Sequence, residues 1–92
     1  MKTDPILYRA NGTQETVAPQ NKKYFTLQEL QAFVGGYIEN VFLNDSLIMV
    51  VSEEGKLDGL PVNVRATEII RRYGIEDTIV GDALVCPSKL IK

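Results

Sequence analysis

Three glutamates could bring their carboxylates together. Glu39 follows a double glycine and precedes a mostly apolar stretch, whereas Glu53 and Glu54 come directly after a second apolar run. If the stretches 37–43 and 47–52 pair as a hairpin, Glu39 lies opposite the end of the second strand and near Glu53. Paired carboxylates can share a proton or bind a divalent cation. Glu39 with Glu53 or Glu54 would then suit a small metal-dependent hydrolase, and an exposed strand end without chemistry is the simpler alternative.

A second candidate site lies at a predicted helix start. Asn63 is a favoured N-cap residue, and Arg65 follows two positions later. Backbone N–H groups at a helix N-terminus, beside a guanidinium, can bind a phosphate or a carboxylate. Gly59 would let such a ligand approach the backbone. The structural alternative is that Gly59 belongs to a tight turn and Asn63 only caps the helix. Neither glycine-rich nucleotide motif is present, so nucleotide binding has no motif support.

Arginines form a third candidate. Arg65, Arg71 and Arg72 fall on the polar side of the same predicted helix, with Glu68 among them. The Arg65/Arg72 face could contact DNA phosphates in a weak DNA-binding regulator, and a solvated helix face is the alternative that we favour. The net charge of −2 and the pI near 5.0 provide no global attraction for nucleic acid, so we do not expect a nucleic-acid partner.

Composition limits the chemistry further. There is no histidine, which removes the most frequent general base and metal ligand, so we expect no metal and no cofactor, and an enzyme is the less favoured class. The single Cys86 cannot form an intramolecular disulfide, which favours a reducing cytoplasm. No apolar run is long enough to span a membrane. Ninety-two residues make one domain, and a homodimer would be one way to bury more surface.

The first half of the chain predicts a hairpin and a helix. Asn11-Gly12 lies between 6–10 and 13–18 and is typical of a type I′ turn, in which both central residues have positive φ. Thr26 and Glu29 have capping-box spacing, which predicts a helix over 27–34.

The second half predicts two strands, a helix and a last strand. Residues 37–43 and 47–51 form the second hairpin, and the helix begins after Asn63 and ends at Tyr73. The last strand covers 78–86 and is interrupted by Gly81-Asp82, where a bulge or a close backbone approach is expected. The order ββαββαβ predicts an α+β domain of two layers, with two helices on one face of a mixed or antiparallel five-stranded sheet. Residues 1–5 and 88–92 are expected to be flexible ends.

Four motifs in residues 33–85 resemble a known family. They are Val34-Gly35-Gly36-Tyr37-Ile38-Glu39, Glu53-Glu54-Gly55-Lys56, Gly59-Leu60-Pro61-x-Asn63-x-x-Ala66-Thr67, and Ile79-Val80-Gly81-Asp82. The chain is similar to a domain-of-unknown-function family of small proteins from bacteriophages and from bacterial mobile or conjugative elements. The resemblance implies no established activity. Its usual genomic setting implies an accessory protein that counters or modulates a host system.

The leading hypothesis is therefore a non-enzymatic accessory protein. It would bind a host protein or a small anionic ligand through residues 53–67, without turnover. The candidate ligand-binding residues are Glu39, Glu53, Glu54, Gly59, Asn63 and Arg65. The hydrolase and the DNA-binding regulator remain as alternatives.

Overall fold

The chain folds into a five-stranded sheet with two helices in the order ββαββαβ. The computed structural model describes residues 4–91. Its elements are β1 (Ile6–Tyr8), β2 (Gln14–Thr16), α1 (Leu27–Val34), β3 (Ile38–Phe42), β4 (Leu47–Ser52), α2 (Val64–Arg72), β5 (Ala83–Pro87) and a 3-10 turn (Ser88–Leu90). The strand order across the sheet is β2-β1-β5-β4-β3, and every pairing is antiparallel. The predicted α+β class and element order are confirmed.

The first hairpin forms, but its turn is not type I′. Arg9 N–H donates to the Thr13 carbonyl at 2.9 Å and Gly12 N–H donates to the Arg9 carbonyl at 3.0 Å, which leaves a three-residue loop with Gly12 at φ 95°. Asn11 does not adopt positive φ, so that prediction was wrong. Its Oδ1 instead accepts from Thr13 N–H at 2.9 Å, and this local bond needs no left-handed asparagine.

Helix α1 begins and ends as its sequence predicts. The Thr26 hydroxyl accepts from Glu29 N–H at 3.2 Å, and the Glu29 carboxylate accepts from Thr26 N–H at 2.9 Å, which completes the capping box. Phe25, just before the N-cap, and Leu30, the fourth residue of the helix, occupy the two positions of a hydrophobic staple, and both are buried. Gly35 ends the helix at φ 81°.

The two helices cover opposite faces of the sheet. The domain therefore has three layers, whereas we expected two. Alternate residues of β4 point to different cores. Ile48 and Val50 join the core under α1, whereas Met49 and Val51 join the core under α2. A continuous apolar run therefore marks a strand that is covered on both sides. A helix on each face follows from that double burial.

The last strand is shorter than predicted because residues 79–81 pair elsewhere. Strand β5 begins only at Ala83. Before it, Asn63 N–H donates to the Ile79 carbonyl and Gly81 N–H donates to the Pro61 carbonyl, both at 2.8 Å. These bonds form an isolated antiparallel bridge between Val62 and Val80. The start of α2 is thereby tied to the chain segment that leads into β5.

The ends that we expected to be flexible are tied to the domain where the structure describes them. Pro5 accepts a hydrogen bond from Val17 N–H at 3.0 Å, and the Leu90 carbonyl accepts from Phe25 N–H at 2.8 Å. Leu90 and Ile91 also pack against the core under α1. Residues 1–3 and 92 lie outside the described part of the chain, and so does that share of the prediction.

Candidate functional site

Asn63 lies within the segment 53–67, and its side chain makes hydrogen bonds that stabilise the fold. The residue is 1% exposed. Its Oδ1 accepts from Ala66 N–H at 3.0 Å, which confirms the predicted N-cap. Its Nδ2 donates to the Tyr8 carbonyl and the Gly81 carbonyl, each at 2.9 Å. One side chain thus joins α2, β1 and the segment before β5. Both amide hydrogens and the capping oxygen are committed, so Asn63 has no spare donor for a ligand.

Thr67 completes this buried network. Its hydroxyl donates to the Asn63 carbonyl at 2.8 Å and accepts from Ile79 N–H at 2.9 Å. The Asn-x-x-Ala-Thr spacing follows from these contacts, because Ala66 supplies the capped N–H and is itself fully buried. The motif residues 63, 66 and 67 therefore act together as the joint between α2 and residues 79–81.

Two glycines of the motifs are closely packed against other side chains. A Cβ on Gly55 would lie 2.8 Å from Val80 Cγ2, and a Cβ on Gly81 would lie 2.8 Å from Leu60 Cδ1. Gly81 also has φ +76°, which side chains rarely adopt. The predicted close backbone approach at Gly81 is confirmed. Gly59, a candidate ligand-binding residue, is exposed at φ +67° with nothing near its Cβ position, so turn geometry alone explains it.

Asp82 fastens the first hairpin to the same joint. Its Oδ1 accepts from Ala10 N–H at 2.9 Å, and its Oδ2 lies 3.2 Å from Arg9 Nη1. Arg9 also pairs with Glu15 at 2.6 Å, and Glu15 is the leading cause of the raised pKa of Arg9. The Gly-Asp pair thus has a structural role on both of its residues.

The carboxylates separate into two places. Glu39 is opposite Val51 in the β3–β4 ladder, and Glu39 and Glu53 line one depression of about 120 Å³. Glu54 lines a different depression, with Gly35 and Gly36. All three glutamates are exposed. No group of three or more histidine, cysteine, aspartate or glutamate residues within 4–91 could hold a metal ion. The structure therefore brings Glu39 and Glu53 to one place and leaves Glu54 out.

A lysine occupies part of the depression that Glu39 lines. Lys56 Nζ lies 2.6 Å from Asp77 Oδ1, and both residues line the same depression. The hydrogen bond from Lys56, followed by that from Thr78 N–H, lowers the pKa of Asp77. The ion pair is solvent-exposed, so it contributes little to stability. A cation in this depression would meet a lysine already present.

The arginines of α2 are exposed and make no ion pair with any residue in 4–91. This holds for Arg65, Arg71 and Arg72. Arg65 is the second residue of α2, after the N-cap Asn63, and it is exposed. The most direct cap group, however, is the inward-facing Asn63. Arg65 remains available to a partner on the surface.

An apolar surface borders this joint on the outside. Leu57 is 90% exposed and Val64 is 65% exposed, and Val62 between them is also exposed. Leu57 lines the same depression as Val80, and Val62 is bridged to Val80, which brings Leu57 and Val62 to one region. We call the side chains of Leu57, Val62 and Val64 the 57–64 surface. A fold of this kind gains nothing from exposing three aliphatic side chains within eight residues.

Sequence reasoning did not identify this surface or the bonds beneath it. No pattern in a single sequence separates an exposed Val64 from a buried one, because both occur at helix starts. The structural role of Asp82 has no local signal either, since its partners Arg9 and Ala10 lie 73 and 72 positions earlier. Cys86 is buried, and burial raises the pKa of its thiol to about 12.

Comparison with known proteins identifies a domain of unknown function. No helix within residues 4–91 is both long and apolar enough to cross a membrane. No curated protein and no solved structure matches the chain. One family model, a domain of unknown function (DUF3846), matches residues 2–89. The chain therefore belongs to the DUF3846 family.

Proposed function

We propose that this chain is a non-catalytic accessory protein that binds a host protein through the 57–64 surface. The observation that supports this is the division of residues 53–67 into two sets. Its buried polar residues, Asn63 and Thr67, bond to each other and to the backbone. Its apolar residues Leu57 and Val64 face solvent. A segment whose inside serves the fold and whose outside is apolar suits contact with another protein.

The chemistry of the partner follows from the same region. Leu57, Val62 and Val64 would form an apolar centre, and Arg65 next to them would meet a carboxylate at the rim. A small anionic ligand at the start of α2 is supported less well, because Asn63 directs both of its amide hydrogens inward. An enzyme acting through Glu39 and Glu53 is supported less again, because Lys56 and Asp77 share their depression.

The proposal also includes a biological setting. The motif resemblance supports an origin in a phage or a mobile element, where an accessory protein would act on the host's cytoplasmic machinery. Nothing in the fold argues for or against that origin. The binding surface is the part that the geometry supports.

Native mass spectrometry of the protein purified gently from its host tests the proposal. We expect a complex with a second protein, present without chemical conversion of either chain. Val64→Lys should abolish the complex and leave the melting temperature unchanged, since Val64 is 65% exposed. Leu27→Lys is the matched control, because Leu27 is an apolar residue of α1 that is 58% exposed.

Three outcomes would contradict the proposal. A complex that survives Val64→Lys and is lost with Leu27→Lys would place the binding surface on α1 instead. A bound small molecule that the protein converts to a product would make it an enzyme. A small anionic ligand lost with Arg65→Gln, without conversion, would support the ligand alternative over the protein partner.

A further inference from the structure

The two edges of the sheet differ in what they expose. Strand β2, at one edge, has three residues, all exposed, and Glu15 at its centre. Strand β3, at the other edge, has five residues and ends with Phe42, which is 69% exposed. Neither proline, lysine nor a bulge interrupts β3, although those features commonly protect an edge from pairing with another chain.

The hydrogen-bond pattern of β3 shows which of its backbone groups are free. Leu43 N–H donates to the Leu47 carbonyl at 3.0 Å, and Glu53 N–H donates to the Tyr37 carbonyl at 2.9 Å. In an antiparallel pair, residues that bond to the neighbouring strand alternate with residues that point away from it. The odd-numbered residues of β3 therefore bond to β4. The backbone N–H and C=O groups of Ile38, Asn40 and Phe42 point to the open edge.

We propose that β3 pairs with β3 of a second copy of this chain, antiparallel and with the two-fold axis at Asn40. In that register Asn40 is opposite Asn40 of the second copy, and Ile38 is opposite its Phe42. All three outward-pointing residues then form hydrogen-bonded pairs, and the two sheets join into one of ten strands.

The side chains of β3 match this register on both faces. The sheet face that α1 covers carries Ile38, Asn40 and Phe42. In the proposed register, Ile38 of the second copy would cover the exposed ring of Phe42. The Asn40 amide both donates and accepts, which makes it complementary to its own copy across the axis. On the other face, Glu39 is opposite Val41, so no carboxylate meets a carboxylate directly.

The β2 edge cannot pair with itself in the same way. Arg9 N–H donates to Thr13 C=O, so the outward-pointing residues of β2 are Gln14 and Thr16. A symmetric pairing would place Glu15 directly opposite Glu15 of the second copy, where like charges repel. The contrast favours a dimer that closes through β3, because it leaves only the β2 edges free.

Analytical ultracentrifugation across the micromolar range tests the dimer. We expect the mass to rise from one chain to two with concentration, because a single strand pair is a small interface. Asn40→Asp places two carboxylates at the axis and should weaken the dimer at least about tenfold. Asn44→Asp is the matched control, since its exposed Oδ1 accepts from Ser46 N–H, a bond that aspartate also makes. A chain that stays monomeric throughout, or a dimer that Asn40→Asp leaves intact, would overturn the proposal.

Cross-linking tests the register itself. Residues in a hydrogen-bonded antiparallel pair have Cα atoms about 5.5 Å apart, which a disulfide can span. Asn40→Cys should therefore form a disulfide-linked dimer on mild oxidation. Gln14→Cys, at an exposed and outward-pointing residue of β2 that leaves Glu15 in place, should remain largely monomeric. The native Cys86 does not interfere because it is fully buried. Equal cross-linking of the two variants would contradict pairing at Asn40.

Discussion

The two helix starts use the same kind of capping bond and differ in everything around it. Helix α1 is capped by Thr26 and Glu29, which lie three positions apart and are both half-buried. Helix α2 is capped by Asn63, which is buried and also bonds to Tyr8 and Gly81, 55 and 18 positions away. The first cap stabilises one helix. The second joins three parts of the chain, so its loss affects the whole domain.

The second cap depends on the residues packed around it. Glycines at 55 and 81 allow close packing, and Asn63 and Thr67 satisfy the backbone groups that this packing buries. Function would then be found on the outside of the same segment.

Asn63→Ala should destabilise the domain by about 3 kcal/mol or more. The substitution removes the cap, removes a part-buried bond to the Tyr8 carbonyl, and leaves the buried Gly81 carbonyl without the Asn63 donor; an unsatisfied buried group costs about 1–3 kcal/mol. That loss is a large part of the total for a domain of this size, about 5–15 kcal/mol. Urea unfolding followed by circular dichroism measures it. A loss no larger than that of Thr26→Ala would show that the long-range bonds contribute nothing.

Thr67→Val should cost about 2 kcal/mol. Valine keeps the shape, but Ile79 N–H loses its buried acceptor. Thr67→Ser is the control, because it keeps the hydroxyl and should recover most of the difference. Urea unfolding of both variants makes the comparison. If Thr67→Ser loses as much stability as Thr67→Val, the hydroxyl bond to Ile79 N–H does not account for the loss.

Thr26→Ala should cost about 1 kcal/mol, the ordinary value for an N-cap. The hydroxyl of Thr26 bonds only within its own helix start, to Glu29. Amide hydrogen exchange should speed up in the first turn of α1 and remain unchanged at Ile79 and Gly81. Faster exchange in both regions would show that the two caps are coupled.

Glu29 should add a small dependence of stability on pH. Bonds from Thr26 N–H and then Gln20 N–H lower the pKa of Glu29 below its ordinary value of 4.5. Its stabilising effect is therefore present above that ordinary value and is lost as the pH falls through the lower folded-state pKa. Between pH 5 and pH 2, the wild type should lose more stability than Glu29→Gln. The difference should be under about 0.5 kcal/mol, since solvent screens the carboxylate. Identical pH profiles of urea unfolding would contradict it.

The sequence alone was sufficient where a structural signal is local. The capping box of Thr26 and Glu29, the double glycine and the apolar run 47–51 each act within a few residues, so α1 and β4 could be predicted closely. The Asn11-Gly12 turn shows the limit of a local rule. A bond from Thr13 N–H to Asn11 Oδ1 favoured a three-residue loop over the expected type I′ turn.

Long-range contacts account for the rest. Nothing near Ile79 in sequence shows that it pairs with Asn63 instead of extending β5, and this contact shortens the predicted strand. Helix α2 lies on the face opposite α1, and the long-range hydrogen bonds of Asn63 hold it there. For the candidate site, Asn63 could be predicted as a cap, whereas its inward-facing amide and the exposed 57–64 surface could not.

The most direct test of this account is the paired unfolding of Asn63→Asp and Thr26→Asp. Aspartate can cap either helix, so a role limited to capping predicts little change in both variants. Our account predicts that Thr26→Asp changes stability by less than about 0.5 kcal/mol. Asn63→Asp should lose about 3–5 kcal/mol, because a buried carboxylate replaces the donor to Tyr8 and Gly81. If both variants unfold at the wild-type urea concentration, Asn63 is not a structural joint, and the central claim is wrong.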